Sequence, residues 1–253
     1  MKNILLYIIL LFAFACHQPA EKSQLSGILA GAYTLQSASN NKVDKDTSFP
    51  TNNQVMIFTE KHYIYGTIAP DSTTLFGLGS YFYNDSTIIE KNIFNSSTLD
   101  STFETKLRVA RSPSSLIQIQ GESDEVGKTF QKMPAAENSD LDGAWEQVSF
   151  ENITGTDTSF VKNKQYKLYQ GGHFMWIHRY PSDSIDKKFQ TGYGFGVFSI
   201  KGNTITETIT SSSYKEIIEV PVTLSFTLTG KDQLVLEFNE GISVTKETYR
   251  RMN

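Results

Sequence analysis

The chain of 253 residues contains a single cysteine, Cys16. No disulfide framework can therefore form, and no Cys pair is present for redox chemistry. Basic runs are also missing: 27 acidic residues outweigh 23 basic ones, giving a formal net charge of −4, so nothing offers itself to a phosphate backbone and no nucleic-acid partner is expected. Outside Ile4 to Ala15 there is no long apolar run, and a bilayer-spanning helix needs about 20 such residues. Enzyme signatures are lacking too, with no G-x-S-x-G and no H-E-x-x-H. The stretch Gly192-Tyr193-Gly194-Phe195-Gly196 lacks the third glycine of a phosphate-binding G-x-G-x-x-G, since Ser199 stands there, and no helix follows it. These absences lead us to expect a protein that is not an enzyme, with no catalytic residue, no cofactor and no metal.

What is present begins at the N-terminus. Met1-Lys2-Asn3 precedes the apolar run, which ends on small residues before Cys16, the layout of a secretory signal peptide. Ala13-Phe14-Ala15-Cys16 resembles a lipobox, the bacterial motif at which the chain is cut before a cysteine that is then lipidated; an ordinary signal peptide cut nearby is the other reading. Phe14 replaces the small residue usual there. Residues 1–15 are thus expected to be removed, taking Lys2 with them and moving the net charge to −5. Residues 16–28 would form the lipidated Cys16 and a polar tether, with acyl chains contributing about 0.8 kcal/mol per buried methylene to membrane anchorage. By resemblance to enteric lipoproteins, the absence of Asp after the cysteine points to the outer membrane, and the absence of an acidic cluster to its periplasmic side.

The rest of the chain is written twice. Leu29-Ala30-Gly31-Ala32-Tyr33 matches Leu141-Asp142-Gly143-Ala144-Trp145, Lys61-His62-Tyr63-Ile64-Tyr65 matches Gly172-His173-Phe174-Met175-Trp176, and Gly77-Leu78-Gly79 matches Gly194-Phe195-Gly196. Thr87 to Glu90 matches Thr204 to Glu207, and Lys128 to Met133 matches Glu247 to Met252. Five anchors in one order define two domains, 29–133 and 141–253, joined by the linker 134–140. Each is long enough to enclose a core.

Within each copy the apolar period is two, as in Thr223 to Leu228 and Gln233 to Phe238, and turn clusters such as Lys201-Gly202-Asn203 and Gly230-Lys231-Asp232 interrupt the runs. The pattern predicts an all-β chain with eight antiparallel strands per copy, whose edges are removed by closure into up-and-down barrels. Gly143-Ala144-Trp145 on the first strand, with Arg250 and Arg251 on the last, resembles the lipocalin pattern. In that pattern a tryptophan plugs the barrel floor beneath a basic side chain that stacks on it and donates to backbone carbonyls. Tyr33 takes the tryptophan's place in the first copy, with Gln131 and Lys132 at its end. The resemblance implies two tandem lipocalin-like barrels in a bacterial lipoprotein. Each copy is shorter than a typical lipocalin, so an open cavity and an interior filled by side chains both stay in play.

Candidate ligand-binding residues follow from strand geometry. Side chains alternate along a strand, so His173 and His178 point to opposite faces and cannot share a metal ion. Phe174, Trp176 and His178 share one face, as do Tyr63 and Tyr65 in the first copy, and such an aromatic wall either lines a pocket or fills a core. Tyr193 is expected to join that lining. His62 and His173 occupy matching strand starts, as mouth residues or simply turn residues. Glu90 and Glu207 each share a face with an isoleucine two positions earlier; pointing inward they would place a carboxylate inside each barrel, pointing outward they would be solvated. The glycines of 192–196, repeated at Gly77 and Gly79, suit a barrel bend or the close approach of an aromatic ring. The expectation is a membrane-anchored protein binding a small hydrophobic ligand in the cell envelope. The alternative is a structural lipoprotein with filled barrels that docks an envelope protein complex.

Overall fold

In a computed structural model the described residues are 27–40, 54–84, 86–96, 102–112, 115–121, 126–181 and 189–253. Cys16, the residues expected to form a signal peptide and most of the expected tether lie outside them. Among the described residues no helix is long and apolar enough to cross a membrane, and the one helical element is a 3-10 turn at Lys215–Ile217.

The first copy forms β1 (Gly31–Asn40), β2 (Val55–Phe58), β3 (His62–Ile68), β4 (Thr74–Asn84), β5 (Thr87–Asn95), β6 (Glu104–Arg111), β7 (Leu116–Gly121) and β8 (Val126–Lys132). Each pairs antiparallel with the next, and β8 pairs with β1 to close the barrel. The second copy forms β9 (Gly143–Thr154), β10 (Asp157–Phe160), β11 (Lys164–Gln170), β12 (His173–Pro181), β13 (Phe189–Lys201), β14 (Thr204–Ser212), β15 (Pro221–Thr229), β16 (Gln233–Glu240) and β17 (Ser243–Arg251). Here the ring closes through β17 and β9, and β10 is an additional short strand hairpinned onto the far end of β9. The architecture is thus two tandem closed eight-stranded antiparallel barrels.

The repeat is exact enough to survive at the level of register. Gly31 opposes Phe58 as Gly143 opposes Tyr169, and bulges fall at Leu78/Gly79 and Phe195/Gly196. Both copies end alike: the Met133 amide donates to the Ala32 carbonyl and the Met252 amide to the Ala144 carbonyl, each at 2.8 Å.

At the closed end of the second barrel Trp145 is fully buried and its indole N–H donates to the Leu141 carbonyl at 2.8 Å. The Arg251 guanidinium lies 4.1 Å from the indole centroid and donates to the carbonyls of Lys231, Asp142 and Asp140. Arg250, its neighbour, alternates to the outside and is 67% exposed, paired with Glu146, so it takes no part in the closure expected of it. In the first barrel Tyr33 donates to the Leu29 carbonyl at 2.9 Å, and Lys132 stands 5.9 Å above its ring. Gly31 and Gly143 are required for two reasons: their φ values of +146° and +138° suit glycine, and a Cβ at either would run into Lys132 or Arg251.

The barrels pack side by side. One apolar cluster joins Ile57, Ile64, Phe76 and Phe94 of the first to Leu168, Met175, Ile177 and Phe195 of the second. The facing strands are therefore buried on both sides, which accounts for the nearly unbroken burial of β3 and β12. Closed end meets closed end: Thr59 and His62 share a cleft with Gly143 and Gln170. At the other end Phe94 packs against Tyr166 and Arg179. Both mouths thus face the same way, and Gly27 and Asn253 both line the cleft between the closed ends.

Candidate functional site

Above the Trp145 plug, a layer of Tyr169, Phe174, Ile205, Leu234 and Tyr249 fills the second barrel. Over this layer the barrel opens into a cavity of about 390 Å³. Its floor is polar. Lys167 on β11 reaches across to Glu207 on β14, 3.1 Å from each carboxylate oxygen, with the two residues 4% and 7% exposed. Tyr169 donates to the same carboxylate at 2.5 Å, and the ammonium is boxed by the rings of Tyr169, Phe174 and Tyr249 at 5.7–5.9 Å. Tyr249 donates to Glu247 at 2.7 Å and accepts from Gln165 at 2.5 Å. Burial beside these carboxylates drives the Tyr169 and Tyr249 hydroxyls well above the usual phenol range, so they remain donors.

The walls are aliphatic, supplied by Ile209, Leu224 and Leu236 among others. The mouth is aromatic: Trp176 stacks on His178 with centroids 4.7 Å apart, and His178 contacts Tyr180 at 4.2 Å. Burial lowers the His178 pKa to about 3, so its ring is neutral. A neutral imidazole offers one donor and one acceptor, and the hydroxyls of Tyr214 at 2.9 Å and Tyr180 at 3.2 Å satisfy both. Room for the indole comes from the glycines of β13: a Cβ on Gly194 would sit inside the Trp176 ring, and one on Gly192 inside Tyr214.

The first barrel holds a smaller cavity of about 300 Å³ at the same level. Glu90 stands where the second barrel has Glu207, facing inward and 9% exposed. Met56, opposite Tyr33, takes the place of Lys167, opposite Trp145. Deprived of a buried lysine, Glu90 is shifted by burial to a pKa of about 7, opposed only in part by a hydrogen bond from Tyr63. Tyr65 and Lys128 also line this space, and Lys128 donates to Gln54 at 3.1 Å.

The structure sorts the sequence candidates accordingly. Trp176, His178 and Glu207 meet in the second cavity, and Tyr65 and Glu90 in the first. Phe174 lies one layer below the floor, and Tyr63 is buried in the core of its own barrel, bonded to Glu90. Tyr193 does not line the interior: the inward face of β13 belongs to the glycines, so Tyr193 points into the contact between barrels, against Gly66. His173 faces outward and stacks on Phe195, while His62 is buried at the closed end with its pKa lowered to about 4, mainly by burial. Sequence reading missed Lys167, Tyr169, Glu247 and Tyr249. Their signal was present, since Gln165, Lys167 and Tyr169 alternate with Tyr166 and Leu168 and so share one face; only the pairing of β11 across from β14 was invisible.

Fold and site together define a tandem lipocalin-like barrel with an interior cavity in each half. Among solved structures the chain is similar to a lipocalin-like protein from Bacteroides uniformis, at 22% identity and a TM-score of 0.32, covering 45% of this chain and all of that one. It is also similar to a candidate outer membrane protein from Bacteroides fragilis, at 11% identity and a TM-score of 0.28, covering 88% of this chain and 98% of that one. No protein-family model matches the chain, and no curated protein matches it.

Proposed function

We propose that this protein is a lipid-anchored binding protein of the bacterial cell envelope that holds a small hydrophobic ligand in its C-terminal barrel. The observation that carries the reading is the apolar-walled cavity of about 390 Å³ above a hydrogen-bonded polar floor, a form suited to enclosing a small molecule and orienting one end of it. No residue is assigned to catalysis, and the protein acts by binding. Cys16 supplies the membrane attachment, at the outer membrane facing the periplasm. The described part of the chain starts at Gly27, beside the closed ends and opposite both mouths. The alternative of filled barrels docking a protein complex is less well supported, since both interiors retain space.

Native mass spectrometry of the purified body tests this. The expected result is a non-covalent small-molecule adduct, or uptake of one equivalent of 1-dodecanol by a bare protein. A bare mass that takes up no dodecanol at saturation contradicts it.

A further inference from the structure

The charges of the second cavity do not cancel. Lys167 is saturated by both oxygens of Glu207, and the ring of His178 is fully bonded to two tyrosines. Glu247 is the surplus. It projects from β17 on the same face as Tyr249, lines the cavity, and is bonded there through Oε2 to the Tyr249 hydroxyl. Trp176 and Tyr180 line the same cavity at its mouth. A carboxylate facing an enclosed space walled by aromatic rings favours one class of guest, because aromatic faces and a carboxylate both attract a cation.

We propose that the C-terminal cavity selects amphiphiles with a positively charged head, an amine or ammonium, placed between Glu247 and the rings of Trp176 and Tyr180, with an apolar tail along the aliphatic wall. The inference rests on the binding reading above and adds to it the sign of the ligand. At roughly 30 Å³ per non-hydrogen atom the cavity admits about 13 such atoms, a twelve-carbon chain with its head.

The first barrel provides an internal contrast. Lys128, opposite Ala38 on β1, occupies the register position that Glu247, opposite Phe150 on β9, holds in the second. The repeat has therefore kept an inward carboxylate in both barrels, Glu90 and Glu207, while the charge on the closing strand has changed sign. The two cavities are not duplicates of one site.

The test uses the body from Gly27 to Asn253, which contains every strand of both barrels, titrated with dodecylammonium, dodecanoate and 1-dodecanol. Binding is read on the Trp176 indole N–H resonance, one of only two indole signals because the chain has two tryptophans. Dodecylammonium should bind at least about tenfold more tightly than dodecanoate. Glu247→Gln should erase that preference and Glu247→Lys should invert it, each read as the ratio of dodecylammonium to dodecanoate affinity within one protein that still unfolds cooperatively. Dodecanol binding without a preference for the ammonium, or a preference that survives Glu247→Gln, overturns the inference alone. Failure of all three probes, dodecanol included, overturns the binding reading beneath it.

Discussion

Met56 and Lys167 occupy one position of the repeat, and the carboxylate opposite each shows what that difference does. With Lys167 present, Glu207 sits in a closed network of paired charge and phenol donors; with methionine there, Glu90 is left to burial and a tyrosine. Lys167→Met should therefore cost about 3–5 kcal/mol by leaving Glu207 buried without its counter-ion, and adding Glu207→Gln should recover much of the loss. Urea unfolding of the single and double variants measures both. Glu90 gives a pH prediction. Its native pKa of about 7 lies above the ordinary value of 4.5, so the folded state holds the proton more tightly, and the associated stability is complete below 4.5 and lost as pH rises through 7. The loss is at most about 3 kcal/mol, from roughly 1.36 kcal/mol per unit. His62 and His178 slope the other way, since burial depresses both and their stability is lost as pH falls below 6.5. The difference between wild type and Glu90→Gln across pH 5 to 8 isolates Glu90: the variant should gain on wild type as pH rises.

At the scale of the strand, closure and cavity depend on close approaches that only small residues permit. Gly194→Ala would drive a methyl group into the Trp176 indole and should destabilise by about 1–3 kcal/mol, with a changed near-ultraviolet spectrum from the displaced ring. On the closing strand, Arg251→Ala removes a stacked guanidinium and three carbonyl bonds over Trp145, and should cost about 2 kcal/mol in thermal unfolding. Arg250→Ala, at an exposed pair, should change stability by less than about 1 kcal/mol. The same elements show what was legible beforehand. Period-two alternation located the strands and the inward face of β12, and the Gly-x-Trp with its arginine located the closed end. Alternation also placed Tyr193 opposite the glycines, but which face of β13 turns inward depends on the indole of the neighbouring strand. The Lys167–Glu207 pair joins strands that are not neighbours in the barrel, so no spacing in the sequence records it. The apolar contact between barrels was equally hidden, because outward-facing Met175 and Ile177 resemble core residues of a single barrel.

As a whole, the molecule is two copies of one barrel packed through equivalent faces, closed ends together and mouths turned the same way, with space left inside each. We propose that a ligand sits in the space of the second barrel. Calorimetric titration with 1-dodecanol, comparing wild type with Leu224→Trp, tests that claim most directly, because Leu224 lines the cavity and is only half-buried, so an indole there fills space without displacing the core. Wild type should bind one equivalent with a negative heat-capacity change, and the variant should lose binding while still unfolding cooperatively. Equal binding by the two proteins would place the ligand elsewhere and contradict it.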